Sequence, residues 1–164
     1  EILIQKKRKK QLKHVLIFAS SIKSVKEIKK ILNKSGFRSS EMHSGLDQAS
    51  REKTIRDFKN NKIKVLVATD ILSRGIDIKG IELVINYEVP NDAEDYVHRI
   101  GRTARADKTG EAITFINDNQ IKNFMEIEKL IEKTIEKKSL PIGFEKGPNY
   151  SINKKKKWRK KKKI

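Results

Sequence analysis

The sequence is poor in the residues that build several common kinds of site. Its 164 residues include no cysteine, three prolines, one tryptophan and three histidines. Without cysteine, a disulfide framework and a cysteine-ligated zinc or iron–sulfur centre are excluded. His14, His43 and His98 lack the spacing of metal ligands. The lack of cysteine is compatible with a reducing compartment, and we expect a cytoplasmic location.

Long apolar runs are also missing. The longest purely apolar run, Val15 to Ala19, is far shorter than the roughly 18 residues of a membrane-spanning helix. No long apolar stretch with a small-residue cleavage site follows the basic N-terminus, so a secretory signal is not predicted. Because the chain begins with Glu1 and not with methionine, we expect it to be a piece of a longer protein.

Positive charge is abundant and unevenly distributed. The chain has 39 basic and 21 acidic residues, a formal net charge of +18 and a pI near 10.0, which favours a polyanionic partner. Residues 1–13 contain six of the basic residues and residues 154–164 contain nine, whereas residues 14–153 are nearly balanced. We therefore expect a basic lead-in over 1–13, a folded domain over 14–140, and a linker with a disordered basic tail over 141–164.

Short apolar runs alternate with helical periodicity along the folded part. Predicted strands cover His14–Ala19, Phe37–Met42, Lys64–Thr69, Leu83–Asn86 and Glu111–Ile116. Predicted helices cover Lys23–Ser35, Gln48–Lys59, Asp92–Ile100 and Asn119–Glu136, with Asp47 or Ser50 as the cap of the second. This alternation predicts an α/β domain whose mostly parallel sheet has helices on both faces. Ligands of such sheets gather at the carboxyl ends of the strands, here just after Phe18, Met42, Thr69 and Asn86.

The segment from residue 96 to residue 105 is unusually rich in cationic side chains around Gly101. If a helix ends near this glycine, the arginines beyond it project from an exposed turn, where guanidinium groups suit phosphate oxygens. The alternative is a solvated basic helix end with surface ion pairs, but this density of arginine favours phosphate binding. The cationic residues are His98, Arg99, Arg102 and Arg105.

A second segment, residues 68–77, begins at the end of a predicted strand. Thr69 offers a hydroxyl to a phosphate, Arg74 offers a guanidinium, Gly75 permits close backbone approach, and Asp77 can accept from sugar hydroxyls. A purely structural turn, in which Asp70 or Asp77 caps backbone amides, explains this segment equally well when it is taken alone.

Together these two segments, separated by Leu83–Pro90, resemble motifs V and VI of the DEAD-box RNA helicases. Leu16–Ser21 resembles motif IV, and Gln48–Arg51 resembles the Gln-x-x-Arg element of the same family. The resemblance runs from about His14 to Glu136 and is to the second RecA-like domain, most similar to the bacterial RhlE-like branch. It implies a RecA-like three-layer fold.

The resemblance also implies roles for individual residues. Arg102 and Arg105 match the arginine fingers that reach the nucleotide phosphates. Asp77, beside Gly75, matches the aspartate that binds the ATP ribose, and His98 matches the histidine that couples ATP to RNA contacts. The positions that match contacts to the RNA sugar-phosphate backbone are Ser21, Gln48, Arg51, Thr69 and Arg74. Where the family has His-Gly before the Gln-x-x-Arg element, this chain has His43-Ser44 followed by Gly45.

Two motifs of a complete helicase are absent from the sequence. There is no Gly-x-x-x-x-Gly-Lys-Ser/Thr loop and no Asp-Glu-Ala-Asp string, and in this family both belong to the first RecA-like domain. We therefore expect ATP to be shared with that N-terminal domain and Mg²⁺ to be held by it. The fragment should be monomeric and should not hydrolyse ATP alone, while the whole protein should be an ATP-dependent RNA helicase.

Alternatives remain for the domain and for its tail. A DNA-directed helicase of the same superfamily would share the fold, but the string from His98 to Arg102 is more similar to the RNA-directed branch. A non-catalytic RNA-binding module would not need the nucleotide contacts of Asp77, Arg102 and Arg105. The nine basic residues around Trp158 favour tethering of RNA over a merely solubilising end.

Overall fold

Five short strands, most of them rich in valine, leucine and isoleucine, form one parallel sheet. The computed structural model describes residues 2–4, 14–70, 81–103, 110–140, 143, 144, 147, 148 and 150. The strands are β1 (His14–Phe18), β2 (Ser39–Met42), β3 (Val65–Ala68), β4 (Ile81–Asn86) and β5 (Glu111–Thr114). Their order across the sheet is β2-β3-β1-β4-β5. All predicted strands are present, with ends that differ from prediction by no more than two residues.

The register of the strands brings their carboxyl ends to one edge. Every pair is parallel, and Phe18 at the end of β1 lies between Ala68 of β3 and Asn86 of β4. The central strands β1 and β3 are buried on both faces, which explains why their sequences are continuous apolar runs without alternation.

Within residues 14–140, as far as the structure describes them, four α-helices connect or follow the strands. They are α1 (Ile22–Lys34), α2 (Gln48–Lys59), α3 (Ala93–Ile100) and α4 (Ile121–Leu130), the last preceded by a 3₁₀ turn over Asp118–Gln120. None of the helices in the described ranges is long and apolar enough to cross a membrane.

The helices α1 and α2 cover opposite faces of the sheet. Val15 and Ile17 of β1 belong to one core cluster with Val25 of α1, whereas Leu16 belongs to another with Phe58 of α2. Because successive strand residues point to opposite faces, these two clusters lie on opposite sides of β1. The predicted three-layer α/β architecture is therefore confirmed.

The last helix is shorter than its periodicity predicts. The expected helix reached residue 136, but α4 ends at Leu130 and that side chain is exposed. Glu132 adopts a left-handed backbone with φ 51°, and the Lys133 N–H donates to the Glu128 carbonyl oxygen at 3.1 Å. This arrangement closes the helix and turns the chain, so local backbone geometry overrides the continued apolar spacing.

The chain beyond α4 returns to that helix through Glu128. One carboxylate oxygen of Glu128 accepts from the Ile135 N–H at 2.7 Å and from Lys137 Nζ, and the other accepts from the Tyr150 hydroxyl at 2.6 Å. Burial by itself would raise the pKa of Glu128, but these donors hold it below its usual range. The Tyr150 ring also meets the Phe124 ring edge-on at 6.1 Å. Tyr150 lies in the segment predicted to be a linker, and it contacts the folded domain.

Two left-handed positions after helices give a paired stability prediction. Gly36 follows α1 with φ 75°, and its N–H donates to the Asn33 carbonyl at 3.0 Å. Gly36→Ala forces a β-carbon into this conformation and should lower the free energy of unfolding by roughly 1–2 kcal/mol. Glu132→Gly relieves the same strain after α4 and should leave stability unchanged or slightly higher. Urea unfolding of both variants checks this, and equal destabilisation by both would contradict it.

Candidate functional site

The carboxyl edge of the sheet places several predicted site residues side by side. Backbone hydrogen bonds continue one residue beyond the strands, with the Thr69 N–H donating to the Met42 carbonyl at 3.1 Å. The Tyr87 N–H likewise donates to the Phe18 carbonyl at 2.9 Å. Thr69 and Ser21, which follow β3 and β1, therefore lie at the edge where parallel sheets bind ligands.

The first turn of α2 is fixed by Asp47. Its carboxylate accepts from the Ser50 N–H at 2.7 Å and from the Ser50 hydroxyl at 2.8 Å, which lowers the pKa of Asp47. Of the two predicted caps, Asp47 is the one observed. The cap orients two predicted site residues, Gln48 and Arg51. Gln48 donates to Glu52 at 2.7 Å, whereas the buried Arg51 Nε has no hydrogen-bond partner among the described residues.

The turn before α2 lies against the start of α1. Ser21 caps α1, accepting from the Ser24 N–H at 3.0 Å. A β-carbon on Gly45 would lie 3.2 Å from Nδ1 of the buried His43 and 3.7 Å from Cδ1 of Ile22. Glycine at this position therefore lets the turn close over the imidazole and onto α1. The result is one group of predicted residues on the β1-β3-β2 side of the edge, named here the first group: Ser21, Gln48, Arg51 and Thr69.

A buried arginine organises the other side of the edge. Arg99 of α3 is 1% exposed, and its guanidinium forms a bidentate pair with Asp70, with Nε and Nη2 at 2.6 and 2.8 Å from the two carboxylate oxygens. Its Nη1 donates to Asn86 Oδ1 at 3.3 Å and to the Glu88 carbonyl at 3.2 Å. The guanidinium carbon lies 5.1 Å from the centre of the Phe18 ring. Arg99 thus joins the ends of β1, β3 and β4.

The partners of Arg99 extend this network along the edge. The fully buried Asn86 donates through Nδ2 to the Thr114 hydroxyl at 3.0 Å. Because Thr114 is the last residue of β5, this bond connects the end of β5 to the network. Glu88, whose carbonyl binds Arg99, accepts from the Ser20 N–H at 2.6 Å through its carboxylate. Strand ends that are separated in sequence are therefore held together by polar contacts, which range from the buried amide of Asn86 to the exposed contact between Ser20 and the Glu88 carboxylate.

The network around Arg99 was not predicted from the sequence. Arg99 was grouped with the other cations of its segment and was given no separate role, and Asp70 was considered only as a backbone cap. A signal was available, because Arg99 stands three residues after the buried Tyr96 and so shares the inward face of α3. An acidic residue directly after a buried strand was a suitable partner.

The remaining described cations face outward at the end of α3. The His98 side chain is 47% exposed and its Nδ1 lies 3.9 Å from Asp95. Arg102 follows the last helical turn, and its Nε donates to the His98 carbonyl oxygen at 3.2 Å. The segment is therefore divided, with Arg99 turned into the fold and His98 and Arg102 directed away from it. His98 and Arg102 form the second group.

Four of the predicted site residues fall in two short segments, one after β3 and one after α3. Arg74, Gly75, Asp77 and Arg105 lie outside the described residues. The segment that contains the first three begins directly after Asp70, and the one that contains Arg105 begins directly after Thr103. Thr103 is anchored by donating its hydroxyl to the Ile81 carbonyl at 2.8 Å. Both segments thus start from residues fixed at known places in the fold.

Comparison with known proteins agrees with this geometry. The family model of the helicase conserved C-terminal domain matches residues 1–107. The solved C-terminal domain of the DEAD-box protein Dbp5 is 31% identical, has a TM-score of 0.71, and the match covers 79% of this chain and 76% of that one. The chain belongs to the helicase C-terminal domain family, in its DEAD-box branch.

Two further relatives place the DEAD-box domain within longer proteins. The probable ATP-dependent RNA helicase ddx49 of Dictyostelium discoideum is 44% identical over 121 residues, which cover 74% of this chain and 24% of that protein. Mss116p helicase domain 2, solved bound to an RNA duplex, is 31% identical with a TM-score of 0.74, covering 83% of this chain and 54% of that one. The chain spans about a quarter of the length of the curated relatives it matches. The predicted RecA-like fold and second-domain identity are confirmed.

The ion pair between the buried Arg99 and Asp70, whose side chain is 41% exposed, gives a test by double-mutant cycle. Asp70→Ala leaves a buried guanidinium without its counter-ion and should lower the free energy of unfolding by about 3 kcal/mol. Adding Arg99→Met removes the unpaired buried charge. The loss of stability in the double variant should therefore be about 1–3 kcal/mol smaller than the sum of the losses in the two single variants. Denaturant unfolding measures the stability of the four proteins of the cycle: the natural chain, the two single variants and the double variant.

An exposed ion pair provides the matched control for this cycle. Lys53 and Asp57 lie one helical turn apart on α2 at 3.0 Å, and the lysine side chain is 71% exposed. Lys53→Ala should cost no more than about 0.5 kcal/mol because water screens the pair. Strictly additive effects of the Asp70 and Arg99 substitutions would contradict coupling between the two side chains.

Proposed function

We propose that the DEAD-box domain supplies one half of an ATP site and one half of an RNA track, in a whole protein that separates RNA strands at the expense of ATP. The observation that carries this proposal is the division of the carboxyl edge. The first group lies on the β1-β3-β2 side, and the second group lies at the end of α3, whose Arg99 contacts β1 and β4. Two different ligands can therefore bind along one edge.

The first group suits the sugar-phosphate backbone of RNA. Arg51 is partly exposed, and its guanidinium can pair with a phosphate oxygen. The hydroxyls of Ser21 and Thr69 and the amide of Gln48 can donate to neighbouring phosphates or riboses, and Arg74 would add a second guanidinium. Contacts of this kind fix the strand without reading its sequence.

The second group suits the phosphates of ATP. Arg102 leaves the end of α3 on its outward side, so its guanidinium can contact phosphates held by another domain. In the proposal Arg105 joins it, Asp77 and Gly75 bind the ribose, and His98 links the nucleotide to RNA contacts. ATP supplies the phosphoryl transfer that drives the cycle, and Mg²⁺ is held by the first RecA-like domain. Arg99 acts indirectly, because it fixes the start of the segment that contains Asp77.

Coupling between the two ligands follows from their shared interface. If ATP and single-stranded RNA both bind across two domains, each stabilises the closed form and so raises the affinity for the other. A strand bent within the closed form is incompatible with a continuous duplex, which leads to local strand separation. Opening after hydrolysis releases the strand.

The proposal also covers the helicase subfamily, the oligomeric state, the location in the cell and the preferred nucleic acid. The strings Thr69–Gly75 and Arg102–Arg105, together with the abundance of lysine and isoleucine, support a bacterial RhlE-like helicase. We further propose a monomeric domain, a cytoplasmic location, and RNA as the preferred nucleic acid over DNA. Comparing RNA with DNA as the activator of the full-length ATPase tests the last point.

Substitution of Arg51 tests the RNA half. Arg51→Ala removes one charge-assisted phosphate contact, so single-stranded RNA should bind roughly tenfold more weakly. The plot of log affinity against log salt should become less steep by about 0.7. Fluorescence anisotropy of the 164-residue chain across a salt series measures both quantities.

Arg56→Ala is the matched control for Arg51. Arg56 lies on the same helix, is exposed, and is not part of the first group. Its loss removes the same charge and should change RNA affinity much less. If Arg56→Ala and Arg51→Ala weaken binding equally, the contact is general electrostatic attraction and the proposed RNA half is wrong.

Substitution of Arg102 tests the ATP half in the full-length protein. Arg102→Ala should lower the RNA-stimulated rate of ATP hydrolysis by roughly 10³-fold or more while RNA affinity without nucleotide stays nearly constant. Arg102→Lys keeps the charge but loses the planar fork, so it should rescue little. An RNA-stimulated ATPase of this chain alone, abolished by Arg102→Ala, would overturn the assignment of half a site to this domain.

A further inference from the structure

The positive charge of the folded part is concentrated on one helix. Residues 14–153 contain 24 basic and 20 acidic residues, a net charge of +4. Helix α1 alone contains five lysines and one glutamate, which is the same net charge, so the rest of this region is neutral overall. In contrast, α4 carries two lysines and two glutamates. A basic helix on an otherwise balanced domain indicates an anionic partner at that helix.

The lysines of α1 form a stripe that starts beside the first group. Lys23, Lys26, Lys30 and Lys34 are exposed and follow one another at intervals of three and four residues, so they share one side of the helix. At 1.5 Å per residue the stripe is about 17 Å long, with a charge roughly every 5–6 Å. The N-terminal end of the stripe, Lys23, is two residues from Ser21, which caps α1 and belongs to the first group.

An open surface cavity of about 420 Å³ lies along this stripe, between α1 and β2. Lys29 is paired with the only acid of the lining, Glu41, at 3.1 Å. Asn33 accepts from the Ser39 N–H at 3.2 Å and from its hydroxyl at 2.7 Å through Oδ1, which leaves the amide nitrogen as a donor. The lining residues are Lys26, Lys29, Lys30, Asn33, Lys34 and Glu41. The cavity therefore offers donors and net positive charge.

From these observations we propose that α1 binds the phosphate backbone of single-stranded RNA that extends beyond the first group. This inference rests on the proposed function, since it continues the RNA track from Ser21 along the helix. The apolar side of α1, with Val25 and Leu32, is buried against the sheet. Ile31 is the one large apolar side chain of this helix that is exposed, and a single side chain does not form an apolar face that could insert into a bilayer. A chain of regularly spaced phosphates fits a straight stripe of regularly spaced lysines.

RNA length separates this surface from the first group. The 164-residue chain is titrated with strands of about 6 and about 14 nucleotides, lengths within the range of single-strand binding sites. Changing Lys26, Lys30 and Lys34 together to glutamine should reduce the salt slope by about 2 for the long strand only. Changing Lys122, Lys129 and Lys133, on or just after α4, removes the same charge and should affect neither strand.

Site-specific crosslinking gives an independent measurement. Because the natural chain has no cysteine, Lys30→Cys and Lys129→Cys each create one unique attachment point for a photo-crosslinker. The long RNA should be captured at position 30 and not at position 129, and the short RNA at neither. Displacement of the long RNA from position 30 by polyglutamate at equal charge concentration would overturn the proposal in favour of an acidic protein partner.

The control with Arg51 distinguishes failure of this inference from failure of the proposed function. If Arg51→Ala weakens both strands while the lysine variant binds the long strand normally, the α1 surface is wrong and the RNA track stands. If Arg51→Ala changes neither strand, the RNA track itself is wrong, and the α1 proposal, as its continuation, is overturned with it.

Discussion

The contact of Arg99 with Asp70, Asn86 and Glu88 is the constraint on which the carboxyl edge depends. Burying a charged guanidinium that is 1% exposed is costly unless its donors are paired, so the ends of β3 and β4 and the last turn of α3 come together around it. The segment that contains Asp77 starts from Asp70. The outward direction of His98 and Arg102 is set by the same helix that turns Arg99 inward. Arg99, which has no ligand in the proposed function, therefore fixes Asp70 and belongs to the helix that carries His98.

The rest of the carboxyl edge is positioned by local contacts that are individually weaker than those of Arg99. Asp47 caps α2 and so orients Arg51, while Gly45 lets the preceding turn close over His43. Under the proposed function, the separation of the first group from the second group lets two ligands share one edge without competing for the same side chains. In the proposed function, a domain that is nearly neutral over residues 14–153 binds polyanions because its cations lie along the carboxyl edge, while acids such as Asp47 and Asp70 serve as a cap and a counter-ion.

Much of this fold could be predicted because its signals are local. The buried strands β1 and β3 are continuous apolar runs, and α2 was bounded correctly by its cap and periodicity. The end of α4 could not be predicted, because the left-handed Glu132 interrupts an apolar pattern that continues past it. The Arg99 network depends on Asp70, 29 residues away, and on Asn86, 13 residues away, so no local pattern encodes it. Candidate site residues were predicted through motif resemblance, whereas the contacts around those that the structure describes required the structure.

The central claim is that this domain holds half of each of two coupled sites. The most direct measurement is the affinity for single-stranded RNA with and without a non-hydrolysable ATP analogue, made on the full-length protein and on this chain. The account predicts that the analogue raises RNA affinity of the full-length protein roughly 5- to 150-fold and leaves that of this chain unchanged. An equal effect of the analogue on both, or no effect on the full-length protein, would contradict it.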